Sequence, residues 1–180
     1  MSKLEPFMLH DPAGETSGIS FRSLSTLLWA LLSLISSGCR SGPNFDELRT
    51  EILDLHKKTI DAHWKKDIDF FVKDISDDYF SVDNGEIRKP TKEEITARFS
   101  DYLKRTTFRE YRNLQEPIIG FSKDGSLAWS IVRIKVAGRS SRDDGSESEL
   151  DFSCAWITLY ERRGNGWLRL GEVSSFQSRD

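Results

Sequence analysis

"WITLYERRGNGWLRLGEVSSF", residues 156–176, is the stretch that decides the fold. Two runs rich in aromatic and branched residues flank Gly164-Asn165-Gly166, so it reads as an antiparallel β-hairpin closed by a tight turn. Uninterrupted alternation groups Cys154, Trp156, Thr158 and Tyr160 with Trp167, Arg169, Gly171, Val173 and Ser175 on one face. The other face carries Ala155, Ile157 and Leu159 with Leu168, Leu170, Glu172, Ser174 and Phe176. That second set is the more aliphatic and is the expected core face. Glu172 would then be a carboxylate among Leu170, Ile157 and Phe176, surroundings that raise a carboxyl pKa toward the range of a general base. A place near an open end beside a Lys or Arg, or reversed faces, would instead make it a structural carboxylate.

Upstream, "FREYRNLQEPIIGFS" (108–122), "SLAWSIVRIKVAG" (126–138) and "LDFSCAWITLYER" (150–162) have the same texture, so four long hairpin-linked strands are expected. The sequence before them is helical. Asn44 and Glu47 make a capping-box-like start, and Phe45, Leu48, Ile52, Leu55 and Thr59 follow at three- and four-residue steps to about Trp64. "KKDIDFFVKDI" (65–75) reads as a short second helix burying Ile68, Phe71, Val72 and Ile75. "DYFSVDNGEI" (78–87) is strand-like, with Asp83-Asn84-Gly85 as its turn. In "KPTKEEITARFSDYLKR" (89–105), Thr91 and Glu94 form a capping box ahead of the stripe Ile95, Phe99, Tyr102 and Leu103. Three helices followed by long hairpins is an α+β pattern, a curved antiparallel or mixed sheet wrapped around the helices.

This order resembles the nuclear transport factor 2-like superfamily, and within it the SnoaL-like group. The likeness spans roughly Asn44 to Gln177. It rests on "AHWKKDIDFFVKDISDDYFSVDNGEI", "TKEEITARFSDYL", "DGSLAWSIVRIKV" and the closing Gly-Trp hairpin. The resemblance implies a cone whose concave sheet and long helix enclose a pocket, and a dimer through the outer sheet face. It implies a binding domain, an isomerase, dehydratase or cyclase, or a self-association module, and fold alone does not choose among them. Many SnoaL-like proteins end the last strand in His-x-Ser; here the matching residues are Val173-Ser174-Ser175, so the histidine is missing.

On the cone implied by the resemblance, Trp64, Tyr79, Trp129, Trp156, Tyr160 and Phe176 fall on lining elements. An aromatic lining with few polar groups suits a small apolar ligand, and filling of the core is the alternative. Arg133, interrupting "SIVRIKV", pairs with Glu172, meets a ligand anion or points to solvent. The expected site is therefore Trp64, Tyr79, Trp129, Arg133, Trp156, Tyr160 and Glu172, with Glu172 the candidate base. No metal is expected: His56 and His63 stand roughly 10 Å apart on one helix, and His63 with Asp67 lacks a third ligand. No Gly-rich phosphate loop or other cofactor motif is present.

The 180 residues suffice for one domain, with 37% hydrophobic and 31% charged residues. A net charge of -3 without a basic run gives no nucleic-acid footprint. "LLWALLSLISSGCRSG" (27–42) holds an apolar run too short for a membrane span and of the length of a signal-peptide core. Ser36-Ser37-Gly38-Cys39 resembles the bacterial lipobox, which implies cleavage before a lipidated Cys39, although Ser36 replaces the usual Leu and the leader carries Glu5, Asp11 and Glu15. The expected organisation is a leader and lipoprotein-type signal peptide over 1–38, a tether over 39–43 and the domain over 44–178. The expected location is the bacterial cell envelope, periplasm-facing or otherwise extracytoplasmic, with a lipid anchor as the only membrane attachment.

Overall fold

The computed structural model describes residues 42–177; Cys39 and the leader lie outside them. Helix α1 (Phe45–Lys65) starts where the Asn44 side chain accepts the Glu47 N–H, and it ends at Lys66, whose φ of 55° lets its N–H turn back to Ala62 and His63. Asp67 caps the single-turn helix α2 (Ile68–Val72) in the same manner. Strand β1 (Ile75–Asp83) turns through Asn84 and Gly85, at φ 50° and 82°, into β2 (Glu86–Arg88). Helix α3 (Lys92–Arg105) carries the full capping box: Glu94 N–H donates to Thr91 at 3.2 Å and Thr91 N–H to Glu94 at 2.8 Å.

Five strands follow: β3 (Thr106–Asn113), β4 (Ile118–Phe121), β5 (Leu127–Ser141), β6 (Glu147–Arg163) and β7 (Gly166–Phe176). The sheet order is β2-β1-β7-β6-β5-β3, with β4 also on β5. Among the described residues only β1 and β7 pair in parallel. The expected single strand over 108–122 is two. β3 pairs with Ile134–Ser140 of β5 and β4 with Ala128–Ile131, on either side of a break containing Pro117, which has no N–H for a ladder.

The expectation about faces is overturned. Along β5 the buried set is Ala128, Ser130, Val132, Ile134 and Val136, and their β6 partners on that face are Tyr160, Thr158, Trp156, Cys154 and Phe152. The aromatic face is therefore the inner one, and Ala155, Ile157 and Leu159 lie outside. Glu172 is nevertheless inside. Tyr160 pairs with Arg169 and Leu159 with Gly171, so Leu170 is an extra, unpaired residue in β7, a β-bulge that reverses the alternation.

The helices close the concave side. Leu48 and Ile52 of α1 pack with Ile119, Ala128, Tyr160 and Trp167; Phe71 and Leu103 pack with Phe108, Ile134 and Val136. Phe71 stacks on Phe99 at 4.3 Å. Each fully buried side chain of this size contributes about 1.5–3 kcal/mol to folding. Among the described residues no helix is long and apolar enough to cross a membrane.

Candidate functional site: an aromatic cleft above a closed polar row

Cross-strand pairing arranges the concave face in rows. Ile134, Cys154 and Phe176 form one row; Val132, Trp156 and Ser174 form the next. A polar row follows, Ser130, Thr158, Glu172 and Ser81, the last joined through the parallel β1–β7 pairing. Ala128, Tyr160 and Arg169 come next.

The polar groups hold one another. Glu172 accepts from Tyr79 Oη at 3.2 Å and from Thr158 Oγ1 at 3.5 Å, and Arg169 Nη1 lies 3.7 Å away. Arg169 also donates to the carbonyls of Phe70 and Phe71, at 3.2 and 3.0 Å, so it receives the exposed end of α2. Burial, then the Glu172 charge, drives the Tyr79 hydroxyl far above its ordinary pKa; burial also raises that of Tyr160. A void of about 20 Å³ adjoins Arg169 and Tyr160, and Ser81 at the other end of the row lines a larger cleft.

Beside this row sits a second buried pair. His63 Nδ1 donates to the Thr59 carbonyl at 2.7 Å, and its Nε2 accepts from Tyr111 Oη at 3.1 Å, with the rings 4.3 Å apart. Burial, with a smaller push from the Arg169 charge, lowers the His63 pKa to about 4, against the opposing Thr59 bond. His56 bonds Asn113 at 2.7 Å. Among the described residues no cluster of three His, Cys, Asp or Glu could hold a metal ion.

Nearer the rim the face is apolar and open. Tyr102, Tyr111, Ile134, Phe152, Cys154, Trp156 and Phe176 line a cleft of about 330 Å³. Cys154 is a free thiol, and burial raises its pKa to about 11. The cleft has the size and lining of a site for a small flat apolar molecule.

The expected site residues divide. Tyr79, Tyr160 and Glu172 share the polar row and its neighbour, and Trp156 lines the cleft. Trp64, Trp129 and Arg133 are elsewhere. Trp64 is 46% exposed and touches Phe108 edge-on; Trp129 lies on the outer face over Gly120; Arg133, also outside, reaches Gln177 rather than Glu172. For Trp129 and Arg133 the reason is parity: they alternate with the buried residues of β5. Sequence reasoning missed Arg169, His63 and Tyr111. His63 continues the line of Leu48, Ile52 and His56 along α1, a spacing that was available. The bulge that brings Glu172 onto the face of Arg169 had one local signal, Gly171 in a strand interior. A Cβ there would come within 2.6 Å of the Phe80 ring.

An α+β cone built in this order is the nuclear transport factor 2-like fold. Similar solved structures include a nuclear transport factor 2-like protein from Cytophaga hutchinsonii, at 20% identity over 72% of this chain and 98% of that one, with a TM-score of 0.57. A candidate dehydratase of that family from Streptomyces avermitilis matches at 9% identity over 74% and 99%, with a TM-score of 0.61. A type 2 hexachlorocyclohexane dehydrochlorinase matches at 15% identity over 76% and 90%, with a TM-score of 0.58. No family model matches the chain, and no curated protein matches it in sequence. At these identities the likeness carries the fold, not the activity.

Proposed function

We propose that this domain binds a small, largely apolar molecule in the aromatic cleft, and that the chain is exported and tethered to a membrane through a lipidated Cys39. The observation that carries the binding reading is the division of the concave face. Its open part is lined by Tyr102, Tyr111, Trp156 and Phe176. The ionisable groups below are occupied with one another. A titration of the domain with naphthalene-1-acetamide, followed by amide chemical shifts, tests it. Shifts confined to the cleft and lost in Trp156→Ala support the reading; saturating probe without shifts removes it. Export rests on the apolar run from Leu27 and the lipobox-like residues 36–39 that follow it. The intact mass of the full chain, expressed with its own leader, tests that separately: a chain beginning at acylated Cys39 supports tethering, and an unprocessed, lipid-free chain ends it.

A second reading, an isomerase, dehydratase or cyclase with Glu172 as base, is favoured by that carboxylate facing inward with the Tyr79 hydroxyl 3.2 Å away. It requires Glu172 to leave Arg169 during turnover. We propose also that two copies associate through the outer sheet face, where Ile118, Ile131, Ile157 and Val173 make an apolar row across four strands beside Trp129.

A further inference from the structure

Near the start of α3 lies a cleft of about 380 Å³ with a different lining: Ser81, Arg88, Lys89, Glu94, Ile95 and Arg98 take part in it. Its charges are unequally engaged. Arg88 is held by Glu86, and Glu94 is turned to the Thr91 N–H. Of the other carboxylates, Glu172 pairs with Arg169 and Asp77 with Lys92, while Asp83 accepts the Ser174 hydroxyl and keeps its charge. Lys89 and Arg98 have no ion-pair partner among the described residues, and Arg98 only rests over the Phe99 ring at 5.6 Å. Two uncommitted cations thus face one cleft whose floor offers the Ser81 hydroxyl and the buried Ile95.

The two clefts are neighbours. Arg98 lines the cationic one and Tyr102 the aromatic one, and on a helix residues four apart stand side by side, about 5–6 Å between Cβ atoms. Across the sheet, Ser81 is paired with Glu172, and Ser174 next along β7 donates to Asp83, followed by Phe176 of the aromatic cleft.

From this juxtaposition we infer that the ligand is an amphipathic organic acid: a flat apolar body in the aromatic cleft, and a carboxylate held by Arg98 and Lys89. A guanidinium fork suits a planar carboxylate, and an exposed lysine adds a second charge. The inference rests on the binding reading above and narrows it to a chemical class.

The test compares naphthalene-1-acetate with naphthalene-1-acetamide, equal in shape and different in charge, by calorimetry on the full domain. The acid binds about tenfold more tightly, the scale of one charge-assisted hydrogen bond. Arg98→Gln closes most of that gap, Lys89→Gln part of it, and Arg98→Lys reopens it partly. Equal affinity of acid and amide for the unmodified domain overturns the inference and leaves the apolar cleft standing. A preference for the acid that survives both glutamine variants overturns it also, because the charge would be read elsewhere. Binding of neither probe removes the cleft reading and the inference together.

Discussion

Arg169 and Glu172, three residues apart on one strand, form an ion pair at 3.7 Å on the same face of the sheet. Regular alternation forbids this, since an odd separation places two side chains on opposite faces. The unpaired Leu170 between them supplies the missing step. One bulged residue therefore decides that the domain has a polar row inside its cone instead of a carboxylate on its surface. It also lets Arg169 serve two partners, the Glu172 carboxylate and the carbonyls that end α2.

Removing that carboxylate should destabilise the domain. Glu172→Ala leaves Arg169 buried without its counter-charge, and Tyr79 and Thr158 without their acceptor, a loss of about 1–3 kcal/mol. Glu172→Gln keeps an acceptor and should lose less. Urea unfolding of the three proteins reads the order directly; an alanine variant as stable as the parent would mean that the row contributes nothing.

Much of the fold was legible in the sequence because its signals are local. Thr91 and Glu94 announce α3, Asn84-Gly85 a turn, and the hairpin over 156–176 its own pairing. The candidate site was less legible because it depends on parity, which a single inserted residue reverses. Alternation places Trp129 with Arg133 and Lys135, opposite Val132, Ile134 and Val136, so the two charges mark the outward side of β5 and a lining role for Trp129 went against that sign. On the β6–β7 hairpin the inner face proved to be the less aliphatic one, carrying Thr158, Tyr160, Ser174 and the Arg169–Glu172 pair, while Ala155, Ile157 and Leu159 face outward.

His63 should make stability depend on pH. Its folded pKa, about 4, lies below the ordinary 6.5, so between those values the unfolded chain binds the proton more readily. Stability from this group is complete above pH 6.5 and is lost as pH falls toward 4, by up to about 3 kcal/mol. His56, lowered by burial in the same direction, adds to the slope. Carboxylates titrate in the lower part of the window, so the informative quantity is the difference between the parent and His63→Gln. Urea midpoints at pH 4, 5, 6 and 7 should converge as pH falls; parallel curves would contradict a buried neutral His63.

The proposed association of two copies should fail when charge enters the outer apolar row. Ile157 pairs with Ile131 on one side and Val173 on the other, so it stands mid-row. At a two-fold interface each substitution is made twice. Ile157→Lys should weaken self-association on the order of 100-fold, since like charges brought together cost several kcal/mol. Sedimentation velocity at micromolar concentration separates the outcomes. A parent that is a monomer at every concentration would end the proposal before the variant is made.

Cys154 offers a probe of the cleft that is independent of any ligand assay. Its thiol lies among Ile134, Trp156 and Phe176, and burial holds its pKa near 11. Only the thiolate attacks an alkylating reagent, so reaction with iodoacetamide should be slow at pH 7 and rise roughly tenfold per pH unit up to about pH 10. A thiol in open water would level off near pH 9. The experiment uses the domain from residue 42 onward, so that Cys39 does not contribute, and follows intact mass with time. Naphthalene-1-acetamide should slow the labelling at every pH by covering the sulfur, and Trp156→Ala should weaken that protection. Labelling that levels off near pH 9 would place the sulfur in water; protection unchanged in the variant would move the probe to another site.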